Sequence, residues 1–144
     1  MENKVVILRG LPGAGKSTWV KNNHPDADVC SADFHYIGED GDYKFDPSQI
    51  VEAHAKCRKD FRKYLYWKVG TIIVDNTNLQ KWEFAYYVYT AEAEGYVVEA
   101  IRLEVSPETC QRNIHGVPLT TLERMANGFE SSEPLCHETI VNND

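Results

Sequence analysis

Lys16 and Ser17 close the run Gly10-Leu11-Pro12-Gly13-Ala14-Gly15-Lys16-Ser17-Thr18, which satisfies the pattern G-x-x-x-x-G-K-[ST]. Glycines in such a run let the backbone take left-handed angles and approach a ligand closely. The N–H groups of the turn converge on a concavity that suits an anion, and a helix starting near Lys16 adds the positive end of its dipole. The pattern brings the Lys16 ammonium to the β- and γ-phosphates of ATP and the Ser17 hydroxyl to Mg²⁺. Gly10, Gly13, Ala14, Gly15, Lys16, Ser17 and Thr18 are the expected nucleotide contacts.

Two carboxylates and one guanidinium could complete a reaction. Asp33 follows a short expected strand at 28–31, which puts it at the edge of a sheet where ligands bind in open α/β folds. A carboxylate there can take the proton of an attacking hydroxyl, although the same residue could equally cap a helix. Asp75 ends the apolar run 71–75, the position from which an acidic residue orients Mg²⁺ opposite a phosphate loop. Ser17 and Asp75 are therefore the expected metal contacts. Asn76, Thr77 and Asn78 add donors and acceptors at that edge, or simply form a turn and a cap. Arg112 lies on an expected helix that opens at Ser106-Pro107 and runs out at His115-Gly116-Val117-Pro118.

These groups meet only if the right elements carry them. Strand-like segments at 5–8, 28–31, 71–75 and 96–105 alternate with helical patterns, which argues a parallel sheet covered by helices. The expected fold is an α/β P-loop NTPase: one domain over 1–144, a mostly parallel sheet of about four to five strands, helices on both faces and a helical lid near 112–120. Residues 139–141 could add a short edge strand. A long helix is expected over 48–68, capped by Ser48, with Ile50, Ala53, Cys57, Phe61 and Tyr64 as its apolar stripe. Lys56, Arg58, Lys59, Arg62 and Lys63 form a one-signed arc on that helix, either a solvated face or a local binding patch. A second helix over 80–94 is rich in aromatic residues, read mostly as core packing. The loop 34–47 holds Phe34, Tyr36, Tyr43 and Phe45, which could stack on a base or anchor the loop.

Composition narrows the classes. The chain has 144 residues, 42% of them hydrophobic, and a net charge of −7. That charge speaks against a broad basic face for duplex nucleic acid, so any nucleic-acid contact must be a local patch. Cys30, Cys57, Cys110 and Cys136 are too scattered for a zinc site or a disulfide framework, which suggests free thiols in a reducing compartment. The start Met1-Glu2-Asn3-Lys4 precedes an apolar run too short for a signal peptide, and no stretch is long enough to span a membrane. A cytoplasmic location is expected.

Together these segments resemble the small P-loop kinases grouped with polynucleotide 5′-hydroxyl kinases. The resemblance covers most of the chain and rests on GLPGAGKST at 10–18, SAD at 31–33, YKFDP at 43–47, VDNTNL at 74–79 and CQRNIHGVP at 110–118. It implies that Asp33 is the general base, that Asp75 and its neighbours Asn76 and Asn78 shape the acceptor and phosphate site, and that Arg112 on the lid neutralises the migrating phosphoryl group. At two positions the chain departs from the phage polynucleotide kinase pattern. Tyr36 stands where that pattern has an arginine, and His115 where it has a second lid arginine, so both are read as acceptor contacts. The resemblance implies ATP and Mg²⁺ as cofactors and a nucleic-acid hydroxyl as acceptor, first a 5′-end. Phage kinases of hydroxymethylated DNA bases are similar too. A small-molecule kinase and a nucleotide-dependent switch without an acceptor stay open.

Overall fold

The computed structural model describes residues 3–144; Met1 and Glu2, which open the start read against a signal peptide, lie outside them. Five strands form one parallel sheet in the order β2-β3-β1-β4-β5, with β1 at Lys4–Arg9, β2 at Asp28–Cys30, β3 at Thr71–Asp75, β4 at Val97–Glu104 and β5 at His137–Asn142. The expected edge strand at 139–141 is thus real and longer, and it pairs parallel to β4. Four helices, α1 at Lys16–Asn23, α2 at Ile50–Tyr66, α3 at Lys81–Ala93 and α4 at Leu119–Asn127, join the strands. None of the helices is long and apolar enough to cross a membrane among the described residues.

The central strand shows why both faces are covered. Val5 and Ile7 point into one core with Phe61 and Leu65 of α2 and Phe84 and Val88 of α3. Val6 and Leu8 point into the other, with Val20 of α1 and Leu122 of α4. All four β1 residues are fully buried, which is the continuous apolar run that a strand between two layers requires. β1 stands between β3 and β4, and the chain leaves it in one direction toward β2 and β3 and later returns on the other side. The crevice at that switch is where open α/β sheets bind ligands.

Several local expectations are corrected. The α-helix begins at Ile50, after a 3₁₀ turn over Pro47–Gln49, and Ser48 does not cap it: Gln49 stands at its N-cap without a side-chain hydrogen bond, while Asp46 caps the preceding turn, its carboxylate accepting from the Ser48 N–H at 3.0 Å and the Ser48 hydroxyl at 2.7 Å. On α3 only Phe84 and Tyr87 are buried aromatics; Trp82, Tyr86 and Tyr89 face outward, because residues spaced four and three apart share one side and the core takes the other. The helix expected after Ser106 shrinks to a 3₁₀ turn at Thr109–Arg112, and residues 113–118 are a loop, not a helical lid. Asn113 is the reason. Its amide donates to the carbonyls of Cys110 (3.0 Å) and Val117 (3.1 Å), and its oxygen accepts from the N–H groups of His115 (3.1 Å) and Val117 (2.9 Å). A short polar side chain that satisfies backbone groups this way competes with helix formation.

Arg9, at the end of β1, is buried completely. Its guanidinium donates to the carbonyls of Asn78 (2.7 Å), Leu79 (2.7 Å) and Glu130 (2.7 Å), to the Ser132 hydroxyl (3.0 Å) and to the Glu138 carboxylate. Phe84 and Phe129 lie over its faces at 4.7 and 5.5 Å. Arg9→Met is expected to strand the buried Glu138 charge and three carbonyls at once. Removing one partner of a buried pair costs about 3–5 kcal/mol. Urea unfolding should show that loss as a lower midpoint at unchanged slope; a loss under about 1 kcal/mol would show that the site relaxes around the apolar side chain.

Candidate active site

The phosphate loop leaves β1 with Gly13 at φ 86° and Gly15 at φ 90°, both in the left-handed region. A Cβ at Gly13 would stand 2.5 Å from the Cys110 carbonyl, so the loop needs glycine there for space as well as for angle. Three residues clamp the loop from outside. The Gly10 N–H donates to the Thr77 carbonyl (3.2 Å), Arg112 Nε to the Gly13 carbonyl (2.9 Å) and the Asn143 amide to the Ala14 carbonyl (2.8 Å). Sequence reasoning missed Asn143; the only signal for it was its place just past an edge strand.

Lys16 opens α1 and folds back over the loop, donating to the carbonyls of Gly10 (2.8 Å) and Leu11 (3.0 Å). Burial pushes its ammonium down, and Asp75 and Asp33 act against that shift. Ser17 and Thr18 are exposed and line a cavity of about 300 Å³ with Asp33, Asp75 and Arg112. Asp75 sits beside Leu8 of β1 in the sheet register. Its carboxyl is pushed up to about 6, first by burial and then by Asp33, with Lys16 pulling the other way.

A second cavity of about 430 Å³ lies on the other side of Asp33. Tyr43, Phe45, Val117 and Pro118 give it apolar walls; Asn76, Thr77, His54 and Thr121 supply polar groups. The two cavities share Pro12, Lys16, Asp33 and His115. Asp33 is half-exposed at this junction. Its carboxylate accepts from the Tyr43 hydroxyl at 3.3 Å and faces His115 Nε2 at 3.8 Å. The Tyr43 and His115 rings meet edge to face at 4.6 Å, and His115 Nδ1 is buried without a hydrogen-bond partner among the described residues. Ser31 fixes Asp33 from below by accepting its N–H (3.2 Å), and the Asn76 side chain accepts the Ala32 N–H (2.9 Å).

The structure thus brings Lys16, Ser17, Thr18, Asp33, Asp75, Asn76, Arg112 and His115 around two joined cavities. It does not bring Tyr36 or Asn78 there. Tyr36 is buried under the loop and packs edge to face on Tyr43 and Phe45, so it supports the wall instead of lining it. Asn78 is buried in a left-handed turn (φ 48°), where its amide donates to the Leu8 carbonyl at 2.8 Å. Both positions serve the scaffold because their side chains point into it. The sequence marks Tyr43 and Phe45 as loop aromatics within the segment 43–47 and gives His54 and Thr121 no role in the site; only the folded chain brings the four to one cavity.

Fold and site together define a P-loop nucleotide-binding domain of kinase-like architecture. The chain belongs to the family described as an AAA domain, which matches residues 5–130. It is 34% identical over 139 residues to NEDD4-binding protein 2 of Homo sapiens; the match covers 88% of this chain and 8% of that protein, so the chain spans less than a tenth of that relative. Among solved structures it resembles a chain of the Pnkp1/Rnl/Hen1 RNA repair complex (TM-score 0.69, 17% identity, covering 88% of this chain and 44% of that one). It also resembles the Mycobacterium tuberculosis APS kinase CysC in complex with AMPPNP and APS (TM-score 0.59, 15% identity, covering 99% of this chain and 91% of that one).

The buried carboxyl gives a sign that can be checked. A carboxyl raised from 3.8 to about 6 makes the folded state hold a proton that the unfolded chain has lost, so stability falls as pH rises through that window. Asp75→Asn is expected to stabilise the nucleotide-free chain by about 1–3 kcal/mol at pH 8 and to add little at pH 4. Thermal unfolding of both forms across pH 4–8 checks this; equal melting temperatures at pH 8 would refute the raised value.

Proposed function

We propose that this chain is a kinase that transfers the γ-phosphate of ATP to a nucleic-acid hydroxyl, first of all a polynucleotide 5′-hydroxyl. One observation carries the reading: a phosphate-loop cavity and an acceptor-sized cavity meet at one half-exposed carboxylate, Asp33, with Lys16 beside it. A nucleotide switch needs the first cavity and has no use for the second or for a base between them.

The residues fit ATP with Mg²⁺. Asp33 and Asp75 share the phosphate-loop cavity with Lys16 and Arg112, so the charge of a triphosphate entering it calls for a further cation. Ser17 and Asp75 would hold the metal, and the loop N–H groups and Lys16 the phosphates. When bound, MgATP supplies an activated phosphoryl group whose charge is already partly neutralised. Asp33 accepts the proton of the acceptor hydroxyl as its oxygen bonds to the γ-phosphorus and the bond to the β-phosphate oxygen breaks. The Tyr43 hydroxyl and His115 orient that carboxylate from two sides. Arg112 already reaches the loop through Gly13 and brings its guanidinium to the charge that spreads over the phosphoryl oxygens.

A second reading has its own observation. Lys16 is the only lysine or arginine lining the acceptor cavity among the described residues, and Tyr43 and Phe45 form an aromatic wall. That wall suits a flipped base, so the acceptor of this reading is the hydroxymethyl group of a modified pyrimidine in DNA.

Transfer of labelled γ-phosphate to 5′-hydroxyl DNA and RNA, to DNA carrying hydroxymethylated pyrimidines, and to free nucleosides separates the readings. Label on strand ends supports the first, label on the modified base alone the second, and label on neither, with ATP still bound, removes both. Asp33→Asn is expected to lower transfer about 10²–10⁴-fold with ATP affinity intact. Unchanged turnover in that variant would exclude Asp33 as the base.

A further inference from the structure

The outer surface of α2 and α3 carries groups that phosphoryl transfer leaves unused. Of the five cations on α2, Asp60 engages two, Lys56 at 2.9 Å and Lys63 at 3.9 Å. Arg58, Lys59 and Arg62 have no carboxylate within 4 Å among the described residues. His54, Arg58 and Arg62 follow one another at intervals of four residues, so they form a row with a rise of about 6 Å per step. His54 lines the acceptor cavity, and the row therefore starts at the cavity and leads away from it. Glu83 of α3 is within electrostatic reach of His54, but its carboxylate accepts the Gln80 N–H at 2.9 Å.

The row ends on aromatic residues. Arg62 donates to the Tyr86 hydroxyl at 3.0 Å. Trp82, Tyr86 and Tyr89, spaced four and three apart on the outward face of α3, are 76, 36 and 63% exposed. Such large rings seldom stay in water without a use when three share one face. Trp82 and Tyr89 also rim a slot of about 320 Å³ closed by Pro134 and Leu135, with Lys81 at its edge.

Unpaired guanidiniums beside exposed rings are the two components that hold single strands: cations follow the phosphates and rings stack on bases. A protein partner would find the rings sufficient and gives no reason for the arginine row to issue from the acceptor cavity. We propose that the α2–α3 surface is a track for single-stranded nucleic acid that leads its end to the acceptor cavity. The proposal rests on the reading of the acceptor as a nucleic-acid hydroxyl. It also locates the local basic patch that a chain of net charge −7 requires if it is to hold nucleic acid.

Binding of a fluorescent ten-nucleotide dT strand by the full chain, titrated over salt, tests it. The double variant Arg58→Ala, Arg62→Ala is expected to bind about tenfold more weakly, and the slope of log affinity against log salt should fall by about 1.4, roughly 0.7 per lost phosphate contact. Arg58→Lys with Arg62→Lys should keep the slope. Trp82→Ala with Tyr89→Ala should weaken binding about tenfold without changing it. Arg62, Trp82 and Tyr89 are exposed and Arg58 is half-buried, so melting temperatures are read alongside, and an unchanged value separates binding from folding. Affinity and slope unchanged in the arginine variant, or no strand binding by the parent chain, would overturn the track. So would intact strand binding in the aromatic variant together with lost self-association, which would make the face a contact between copies. The transfer assay is a separate readout: strand binding through the track with no phosphate delivered to any nucleic acid removes the kinase reading and supports the track.

Discussion

The carboxyl edge of the sheet depends on one buried charge. Arg9 is the last residue of β1, and the phosphate loop begins at the next residue. Its guanidinium holds the turn after β3, the segment after α4, and β5 through Glu138. Burial alone pushes the Arg9 charge toward the neutral form, and Glu138 opposes that. A buried ion pair adds little net stability over an apolar isostere, so its value here is positional. Five donors in a fixed fork can be satisfied in only one arrangement of the surrounding segments. The same arrangement brings Asp75 and the 76–78 turn beside the loop, with the Thr77 carbonyl accepting the Gly10 N–H.

Much of this architecture was legible in the sequence because local signals and global packing agree. The strands of 5–8 and 71–75 are apolar on both sides and sit between two helical layers, and Ala100, Ile101 and Leu103 extend both cores onto the strand of 96–105. The phosphate loop is legible because its chemistry is local. Arg9 was not, since its meaning lies in partners 69 to 129 residues away. Asn113 was missed for a different reason: its four hydrogen bonds decide loop against helix, and propensity over 106–118 does not register a side chain that substitutes for backbone partners. Tyr36 and Asn78 erred in the other direction. Both lie next to chemistry along the chain, and both turn their side chains into the scaffold.

The site separates two carboxylates by environment. Asp75 is enclosed, and burial raises it toward 6; Asp33 stands at the mouth of both cavities with a phenol hydroxyl and an imidazole beside it. Lys16 answers to both, and Arg112 lines the same cavity. A triphosphate adds negative charge to this balance, so the cradle suits a cation and a ligand that bring their charges together, which is how a metal–nucleotide complex presents itself. Two acids kept distinct by burial and contact can hold two roles, one oriented to the metal side and one to the acceptor.

Recognition of the acceptor divides along the same line. Inside the cavity, rings and aliphatic groups stand beside the polar side chains of His54, Asn76, Thr77 and Thr121, with Lys16 as the only lysine or arginine among the described residues that line it. A phosphate drawn there would compete for the ammonium that the nucleotide needs. Anything that identifies a polymer by its backbone charge must therefore act outside, and Arg58 and Arg62, further along the row that starts at His54, do not line the cavity. On the proposed reading, the cavity chooses which hydroxyl reaches Asp33 through ring contacts, and the helix chooses which molecule arrives through charge. Such a division lets an acidic domain hold an acidic substrate. The attraction is confined to one helix face, and the remaining negative surface turns away duplexes that would lie across the fold.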